Sequence, residues 1–518
     1  MKLVTPSTMA SVDATAITSR GIPGEVLMES AGSAVADLII RRYGRGDGSS
    51  ALVVAGSGNN GGDGFVVARR LRDAGWRVEV ILVGSLSTLS GDARLMATRL
   101  SPGLVREAGD GETLARLMGE TSPNVVVDAL LGTGLSRPVT GLYAAAVEGI
   151  NRIGAPVVAV DIPSGIDGAT GALLGVAVRA DVTVTFGLPK IGLVTGAGLD
   201  HAGEMIVAPI GFPDDILSRA PGILLMDGDG ARSILRPRRR GAHKGENGHV
   251  LIIAGSTGKT GAAHLAASAA VRAGAGLVTL AVPAILNPIL EVKSTEAMTL
   301  PVGPPSSDRF TTDDIPLLAD AARNRDVAAI GPGIGFDDHT HPLVARLLAA
   351  IDKPVVLDAD ALNGLSRDPS ILCGDRPETV ILTPHPGEMA RLCGTTVADV
   401  ERDRVGVACR FSREYGVTVV LKGGGTVVAS PDGRCCVNRS GNPGMATGGM
   451  GDLLTGVIAA LLGQGYPPFE AAALGVYVHG AAADLVARYQ GEIGMTATDV
   501  CRCLPHAFHA VASPQRGG

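Results

Sequence analysis

NPGMATGGMGDLLTGVIAALLGQG, residues Asn442 to Gly465, is the stretch on which the fold reading turns. Six glycines fall between Gly441 and Gly456, and an apolar run, Leu453 to Leu462, begins within the same stretch. The pattern predicts a glycine loop that leads the chain into a buried helix. Such a loop presents unpaired backbone N–H groups at a helix N-terminus, where they and the helix dipole favour a phosphate. Asp452 stands at the end of this loop. A carboxylate there would repel a phosphate unless it had a task, and accepting the proton of a hydroxyl that attacks the phosphate is such a task. The competing reading makes Asp452 a helix N-cap and the glycines a means of close packing.

Working outward, the C-terminal half alternates strands with helices. A strand is expected over His249 to Ala254, a helix over Gly261 to Ala273 and a strand over Leu277 to Ala281. Then come four turns after apolar runs: GPGIG (Gly331 to Gly335), LDADALNGL (Leu357 to Leu365), TPHPGEMARL (Thr383 to Leu392) and KGGGT (Lys422 to Thr426). Turns at the carboxyl ends of parallel strands converge on one sheet edge, so these belong with the Asn442 loop. His385 is either a turn residue or part of that site, and Glu388 is placed to hold a cation through water. GSTGKTG, Gly255 to Gly261, imitates a phosphate-binding P-loop but has Ile253 where glycine is required, and is rejected as one. The helix Phe469 to Gln490 reads as packed scaffold.

The N-terminal half repeats the pattern. After the helix Met28 to Tyr43 and the strand Ala51 to Ala55 comes GSGNNGGDGF, in which Gly56, Gly58 and Gly61 fit GxGxxG ahead of a helix over Phe65 to Ala74. Asn59, Asn60 and Asp63 add side-chain oxygens to a loop dense in backbone donors, which suits a phosphate, a cation or both. Strands over Val78 to Val83, Val125 to Val127, Val157 to Val160 and Val182 to Phe186 make this half a doubly wound parallel sheet. Asp128 and Asp161 each follow such a strand and precede a glycine turn.

With 518 residues, two domains are expected, 1–217 and 225–518, divided near residue 218 in a charged, proline-bearing passage. Hydrophobic residues make up 46%, charged residues 19%, and there are 72 glycines, a profile of a compact α/β enzyme rich in tight turns. A net charge of −6 and 3% aromatics leave no basic footprint and few stacking platforms, which argues against nucleic acid and anionic membrane. No signal-peptide core or membrane span is found, so a cytoplasmic enzyme is expected. The seven cysteines, all in the C-terminal half, read as reduced thiols, and Cys501, Cys503, His506 and His509 are too tightly spaced for zinc.

Together, GNNGGDG, VDALLGTGLSRP and DIPSGIDG resemble the NAD(P)H-hydrate epimerase domain. HKGENGHVLIIAGS, GPGIG, LDADALN, TPHPGEMARL, LKGGGT and GNPGMATGGMGDLLTGVIAAL resemble the ADP-dependent NAD(P)H-hydrate dehydratase domain, which has a ribokinase-like fold. In that order the motifs, which span nearly the whole chain, are those of the bifunctional NAD(P)H-hydrate repair family. The resemblance implies an N-terminal Rossmann-like and a C-terminal ribokinase-like α/β domain. It implies that Asn60, Asp128 and Ser164 hold K+, and that Asn59, Asn60, Gly61, Gly62, Asp63 and Asp161 contact hydrated NADH or NADPH. Gly132, Thr133, Gly134, Leu135, Ser136, Arg137 and Pro138 would join them. In the second domain it implies ADP binding by Lys422, Gly423, Gly424, Gly425 and Thr426, and by Asn442, Pro443, Gly444, Met445, Ala446, Thr447, Gly448, Gly449, Met450 and Gly451. Gly333, His385 and Asp452 would face the hydrated substrate. Lys259 departs from the expected uncharged residue and carries no role. Mg2+ is expected with the ADP co-substrate, and a homo-oligomer as the assembly.

Hydration leaves an alcohol at C6 of the nicotinamide ring in two epimers. Water is a poor leaving group, whereas a phosphate at the same carbon is expelled by the ring nitrogen lone pair. Asp452 is the expected base for phosphorylation and Asp161 the acid or base for epimerisation. The alternative is a kinase of the thiazole or hydroxymethylpyrimidine type with a nucleotide-sensing N-terminal domain.

Overall fold

The computed structural model describes residues 1–44, 48–373 and 379–513. Residues 514–518, counted above in the second domain, lie outside the described residues, as do 45–47 and 374–378. The chain divides into two compact units, Lys2–Ile223 and Leu224–Gly518, Met1 being grouped with the second.

In the N-terminal unit the strands β1 (Ser50–Ala55), β2 (Arg77–Val83), β3 (Val105–Ala108), β4 (Val125–Ala129), β5 (Val157–Val160), β6 (Val182–Phe186) and β7 (Glu204–Ala208) form one sheet in the order β3-β2-β1-β4-β5-β6-β7. Every pairing is parallel, with Ala51 opposite both Val78 and Val125. A parallel sheet is covered on both faces, so its strands are apolar on both sides. Val53, Val80, Leu82 and Val127 enter one core; Leu52, Val54, Ile81 and Val126 enter the other. Burying each of these side chains contributes roughly 1.5–3 kcal/mol. Because β2 and β4 flank β1 on opposite sides, strand order reverses there, and the crevice at the carboxyl ends of β1 and β4 is where such sheets take ligands.

Two expectations need correction here. Helix α1 (Asn59–Asp73) begins at Asn59, so NNGGDG is helical rather than a loop ahead of Phe65. Three glycines cost helix propensity, about 1 kcal/mol each. Packing decides the matter: a Cβ at Gly61 would collide with the Gly56 carbonyl, and one at Gly62 or Gly64 would press on Met28 or Ala129. The helix docks onto the sheet only without side chains there. Likewise β4 runs on to Ala129, so Asp128 is inside the strand.

The C-terminal unit holds β8 (Ile223–Met226), β9 (His249–Ile253), β10 (Leu277–Pro283), β11 (Met298–Val302), β12 (Val327–Ile330), β13 (Val355–Leu357), β14 (Val380–Leu382), β15 (Thr418–Leu421), β16 (Val427–Ala429) and β17 (Cys435–Asn438). Their order is β8-β17-β16-β15-β14-β13-β12-β9-β10-β11, parallel except for the antiparallel pairs β15·β16 and β16·β17. Helices α2 (Thr260–Arg272), α3 (Pro386–Cys393), α4 (Met450–Gly463), α5 (Pro468–Gln490) and α6 (Ala497–Ala512) serve this unit, and all but α3 contribute to its largest core. Leu453 to Leu462 are buried all round α4, the signature of a core helix. A Cβ at Gly456 would strike the Ala266 carbonyl, so α2 and α4 cross in backbone contact. No helix among the described residues is long and apolar enough to cross a membrane.

The expected cut points fall inside structure: residue 217 within the helix Asp214–Arg219 and residue 225 within β8. We therefore propose a division between Pro221 and Gly222, which spares both elements. Fragments 1–221 and 222–518 should each be obtained folded and melt in a single cooperative transition by circular dichroism. Failure of both to do so would show that the units do not fold independently.

Candidate active sites

At the carboxyl end of β4, Asp128 is wholly buried. Its Oδ1 accepts from Ser164 Oγ at 2.6 Å and Leu130 N at 3.2 Å, and its Oδ2 from Ser164 N at 2.8 Å. Burial pushes this carboxyl up to about 6, against the pull of those hydrogen bonds. Leu131 N donates to Ser164 Oγ at 2.8 Å, and the next residue, Gly132, packs against the Asn60 side chain. Asn60 is 8% exposed and its Nδ2 is buried without a hydrogen-bond partner. Asn60, Asp128 and Ser164 thus meet around the Leu131–Gly132 turn. Thr133 to Pro138 continue outward as a partly exposed rim.

Asp161, one residue past β5, has φ 67°, in the left-handed region that non-glycine residues avoid. Its Oδ1 accepts from Thr185 Oγ1 at 3.1 Å, Phe186 N at 3.3 Å and the Lys190 ammonium. Lys190 is 1% exposed and went unnoticed in the sequence. Asp63 on α1 completes this corner: burial pushes its carboxyl well above the ordinary range, Asp161 and Asp13 add to the shift, and Lys190 opposes it.

In the C-terminal unit, α4 is capped by Gly449 at φ 92°, which makes Asp452 the third helical residue and not an N-cap. The capping alternative for Asp452 therefore falls, although the packing role of glycine holds at Gly456. Nothing lies within 4 Å of a Cβ built at Gly448, and Ala446, Thr447 and Gly448 are exposed, so the free N–H end of α4 is open. Asn442 is turned inward: its Nδ2 donates to Asp484 at 2.9 Å, its Oδ1 accepts from Gly444 N at 3.1 Å, and Gly441 N binds the other Asp484 oxygen at 2.9 Å.

Beneath this helix end lies Asp358, 1% exposed. Lys422 Nζ donates to its Oδ1 at 2.7 Å and Thr455 Oγ1 to its Oδ2 at 2.8 Å. Lys422 also stands 3.8 Å from Glu388 and would lie 3.2 Å from a Cβ at Gly451. Burial opposes its charge, but Asp358, Glu388 and Asp452 hold its pKa above the ordinary value. Burial and Asp358 push Asp452 up to about 7, with Lys422 opposing and Asp360 adding. Glu388 is likewise pushed up to about 7, by burial first, with Lys422 opposing and Asp358 adding.

His385 has a structural duty: its Nδ1 accepts from Gly387 N at 3.0 Å and Glu388 N at 3.3 Å, while Glu388 Oε2 accepts from His385 N at 2.8 Å. This reciprocal cap begins α3. Burial, then Lys422 and Arg391, lower the His385 pKa. Gly333 packs against Lys259, whose Nζ donates to Asp360 at 2.9 Å. Ala359, between the two motif aspartates, has φ 52°. Asp161 and Ala359 are the two non-glycine residues with positive φ among those described, one in each site. Strain of about 1–3 kcal/mol persists where surrounding structure over-determines the backbone, and it clusters at active sites.

The profile of the NAD(P)H-hydrate dehydratase family matches residues 250–506, and that of the YjeF-related protein N-terminus matches residues 24–192. The bifunctional NAD(P)H-hydrate repair enzyme of Moorella thermoacetica is 43% identical over 98% of this chain and 97% of its own. The chain belongs to the bifunctional NAD(P)H-hydrate repair family. A ribokinase-like superfamily protein from Enterococcus faecalis superposes with TM-score 0.50 at 28% identity, covering 56% of this chain and 97% of its own. An ADP/ATP-dependent NAD(P)H-hydrate dehydratase from Bacillus subtilis, co-crystallised with ATP/Mg2+, gives TM-score 0.49 at 32% identity, covering 56% and 99%.

Within this repair-family chain, the residues missed from sequence are Asp358 and Thr455 in one unit and Lys190 and Asp13 in the other. Asp358 had a signal, an acid directly after an apolar strand, the same one that marks Asp161. Lys422, expected on the nucleotide, directs its ammonium to Asp358 and Glu388. Lys422→Met should leave the buried Asp358 carboxylate unpaired and destabilise the protein by about 3–5 kcal/mol. Denaturant titration checks this, and adding Asp358→Leu to Lys422→Met should recover part of the loss.

Proposed function

We infer that this protein repairs hydrated NADH and NADPH, interconverting the R and S epimers in its N-terminal unit and dehydrating the S epimer with ADP in its C-terminal unit. The observation that carries this reading is Asp452: a carboxyl poised near neutrality in the first turn of a helix whose N–H end opens onto an unobstructed glycine loop. A kinase accounts for that loop alone. The named repair enzymes match both units over nearly their whole length, which favours repair.

In this reading Asp452 takes the proton of the C6 hydroxyl as the hydroxyl oxygen attacks the terminal phosphorus of ADP and AMP departs. The amides of Gly448, Gly449, Met450 and Gly451 face the transferring charge, and Lys422 lends positive potential beside Gly451. Lys422 to Thr426 and Asn442 to Thr447 line the approach of the nucleotide, while Gly333 and His385 border the hydrated ring. The new phosphate then leaves C6, driven by the N1 lone pair, and loss of the C5 proton restores the reduced ring. Glu388, beside Lys422, is the residue to hold Mg2+ through water, and the ion when bound supplies neutralisation of the phosphates.

The N-terminal unit fits a potassium ion at Asn60, Asp128 and Ser164. Asp128 is buried among neutral donors, no cationic side chain of the described residues being bonded to it, and Asn60, whose buried Nδ2 lacks a hydrogen-bond partner, brings its Oδ1 beside Gly132 in the same turn. Oxygen ligands around one uncompensated carboxylate suit a hard monovalent cation, which when bound supplies the missing charge. Asn59 to Asp63 and Gly132 to Pro138 would then bind the substrate, with Asp161 at the reacting carbon.

Asp452→Asn should cost roughly 10²- to 10⁴-fold in ADP-dependent dehydration while epimers still equilibrate. Asp161→Asn should do the reverse, repairing the S epimer normally and leaving R behind. Chromatography of a mixed-epimer time course separates the two, and repair of S by Asp452→Asn within a few-fold of wild type would refute the proposed base.

The base must be ionised to act, so log kcat/KM for dehydration should fall with unit slope as pH drops below about 7, the value that burial and Asp358 set in the free protein. A pH–rate profile checks it, and the limb should vanish in Asp452→Asn.

A further inference from the structure

Lys190 is a fully buried cation for which the proposed reaction has so far found no use. Its ammonium donates to Asp161 Oδ1, to Thr185 Oγ1 at 3.1 Å and to the Phe186 carbonyl at 3.4 Å, so each of its three protons has an acceptor. At Asp161 the bonds are one-sided. Thr185, Phe186 and Lys190 all end on Oδ1, and no hydrogen bond among the described residues reaches Oδ2. The carboxylate is thus clamped by one oxygen and presents the other, on a backbone held at φ 67°. Such clamping fixes a reacting oxygen in direction as well as in charge.

Two further carboxyls lie near enough to feel the charge of this pair, on separate helices: Asp63 on α1 and Asp13 on the helix Pro6–Arg20. One ammonium cannot balance three carboxylates in a half-buried corner. Burial keeps Asp63 protonated well above the ordinary range and pushes Asp13 up to about 6, with Asp161 adding to both shifts and Lys190 opposing them. A carboxylate paired with a lysine beside a carboxyl that keeps its proton is the arrangement of a matched base and acid.

We propose that Lys190 is the positioning residue that holds Asp161 as the base of epimerisation, and that Asp63 is the acid working opposite it. This rests on the epimerase reading of the N-terminal unit. The carbon C6 bears both a hydroxyl and the ring nitrogen, so it can open as a carbinolamine does. Asp161 Oδ2 takes the hydroxyl proton, C6=O forms, and the C6–N1 bond breaks with its electron pair going to N1. Asp63 delivers its proton to N1. Rotation about C5–C6 turns the other face of the aldehyde to N1, which attacks C6 and returns its proton to Asp63, while Asp161 reprotonates the oxygen. Every bond broken is remade and both carboxyls end as they began.

The test is the pH dependence of epimerase kcat and KM for the full chain and for Asp63→Asn, Lys190→Arg and Lys190→Met, assayed with purified R epimer and chromatographic detection of S. Wild type should lose kcat at alkaline pH, a limb that belongs to Asp63. Asp63→Asn should lose the alkaline limb and about 10²- to 10⁴-fold in kcat with KM within a few-fold. Lys190→Met should lower kcat by about 10-fold or more with KM within a few-fold, as loss of aim at Asp161 requires, and Lys190→Arg should restore it in part. Dehydration of purified S epimer by each variant reports that the rest of the chain is intact. If Lys190→Met does not fold, Asp63→Asn and Lys190→Arg decide. An Asp63→Asn profile that keeps its alkaline limb, or a kcat untouched by either lysine change, overturns the inference alone. A wild-type protein that leaves the R epimer unchanged overturns the epimerase reading and the inference with it.

Discussion

A lysine ammonium buried against a carboxylate at the end of a parallel strand occurs in both units, as Lys190 with Asp161 and Lys422 with Asp358. Neither partner is tolerable alone, since an isolated ion in such a place costs several kcal/mol. The surrounding structure follows from that constraint. Thr185, Phe186 and Thr455 spend hydrogen bonds on the pair, and the turns at Asp161 and Ala359 adopt positive φ to bring the carboxylates into place. Nearby acids then cannot all ionise. Burial first, and then the neighbouring acids, push the Asp63 and Asp452 carboxyls up, and the single ammonium beside each only opposes that shift.

The two sites use this device differently. In the C-terminal unit the pair lies beneath the N-terminal end of α4, where the helix and Lys422 together make a field that suits a phosphate, and Asp452, the base of the proposed reaction, sits within it. In the N-terminal unit no exposed glycine helix end performs that duty. There Gly61, Gly62 and Gly64 are spent on docking α1, and the chemistry falls to side chains at the strand ends.

How far sequence leads is visible in these same residues. Alternating apolar runs and glycine turns disclosed both parallel sheets, and an acid at a strand end disclosed Asp128 and Asp161, because burial on both faces and ligand binding at carboxyl ends are local, patterned requirements. Helix propensity misplaced the start of α1, since its cost is small beside the backbone contact between Gly61 and Gly56. Lys190 was illegible for a different reason: lysines are nearly always solvated, and only the fold brings this one under Asp161. Asp13 lies about 150 residues from Asp161 in the chain, and nothing in its own helix hints at the partner.

The backbone at Asp161 and Ala359 has one more implication, for how this chain trades heat resistance against turnover. Glycine would occupy either position without strain, so each is a place where selection for a hardier fold and selection for a faster catalyst pull on a single residue in opposite directions. A lineage pressed only by temperature would drift towards relaxed turns there and lose the aim of Asp161 or the Asp358–Asp360 pair.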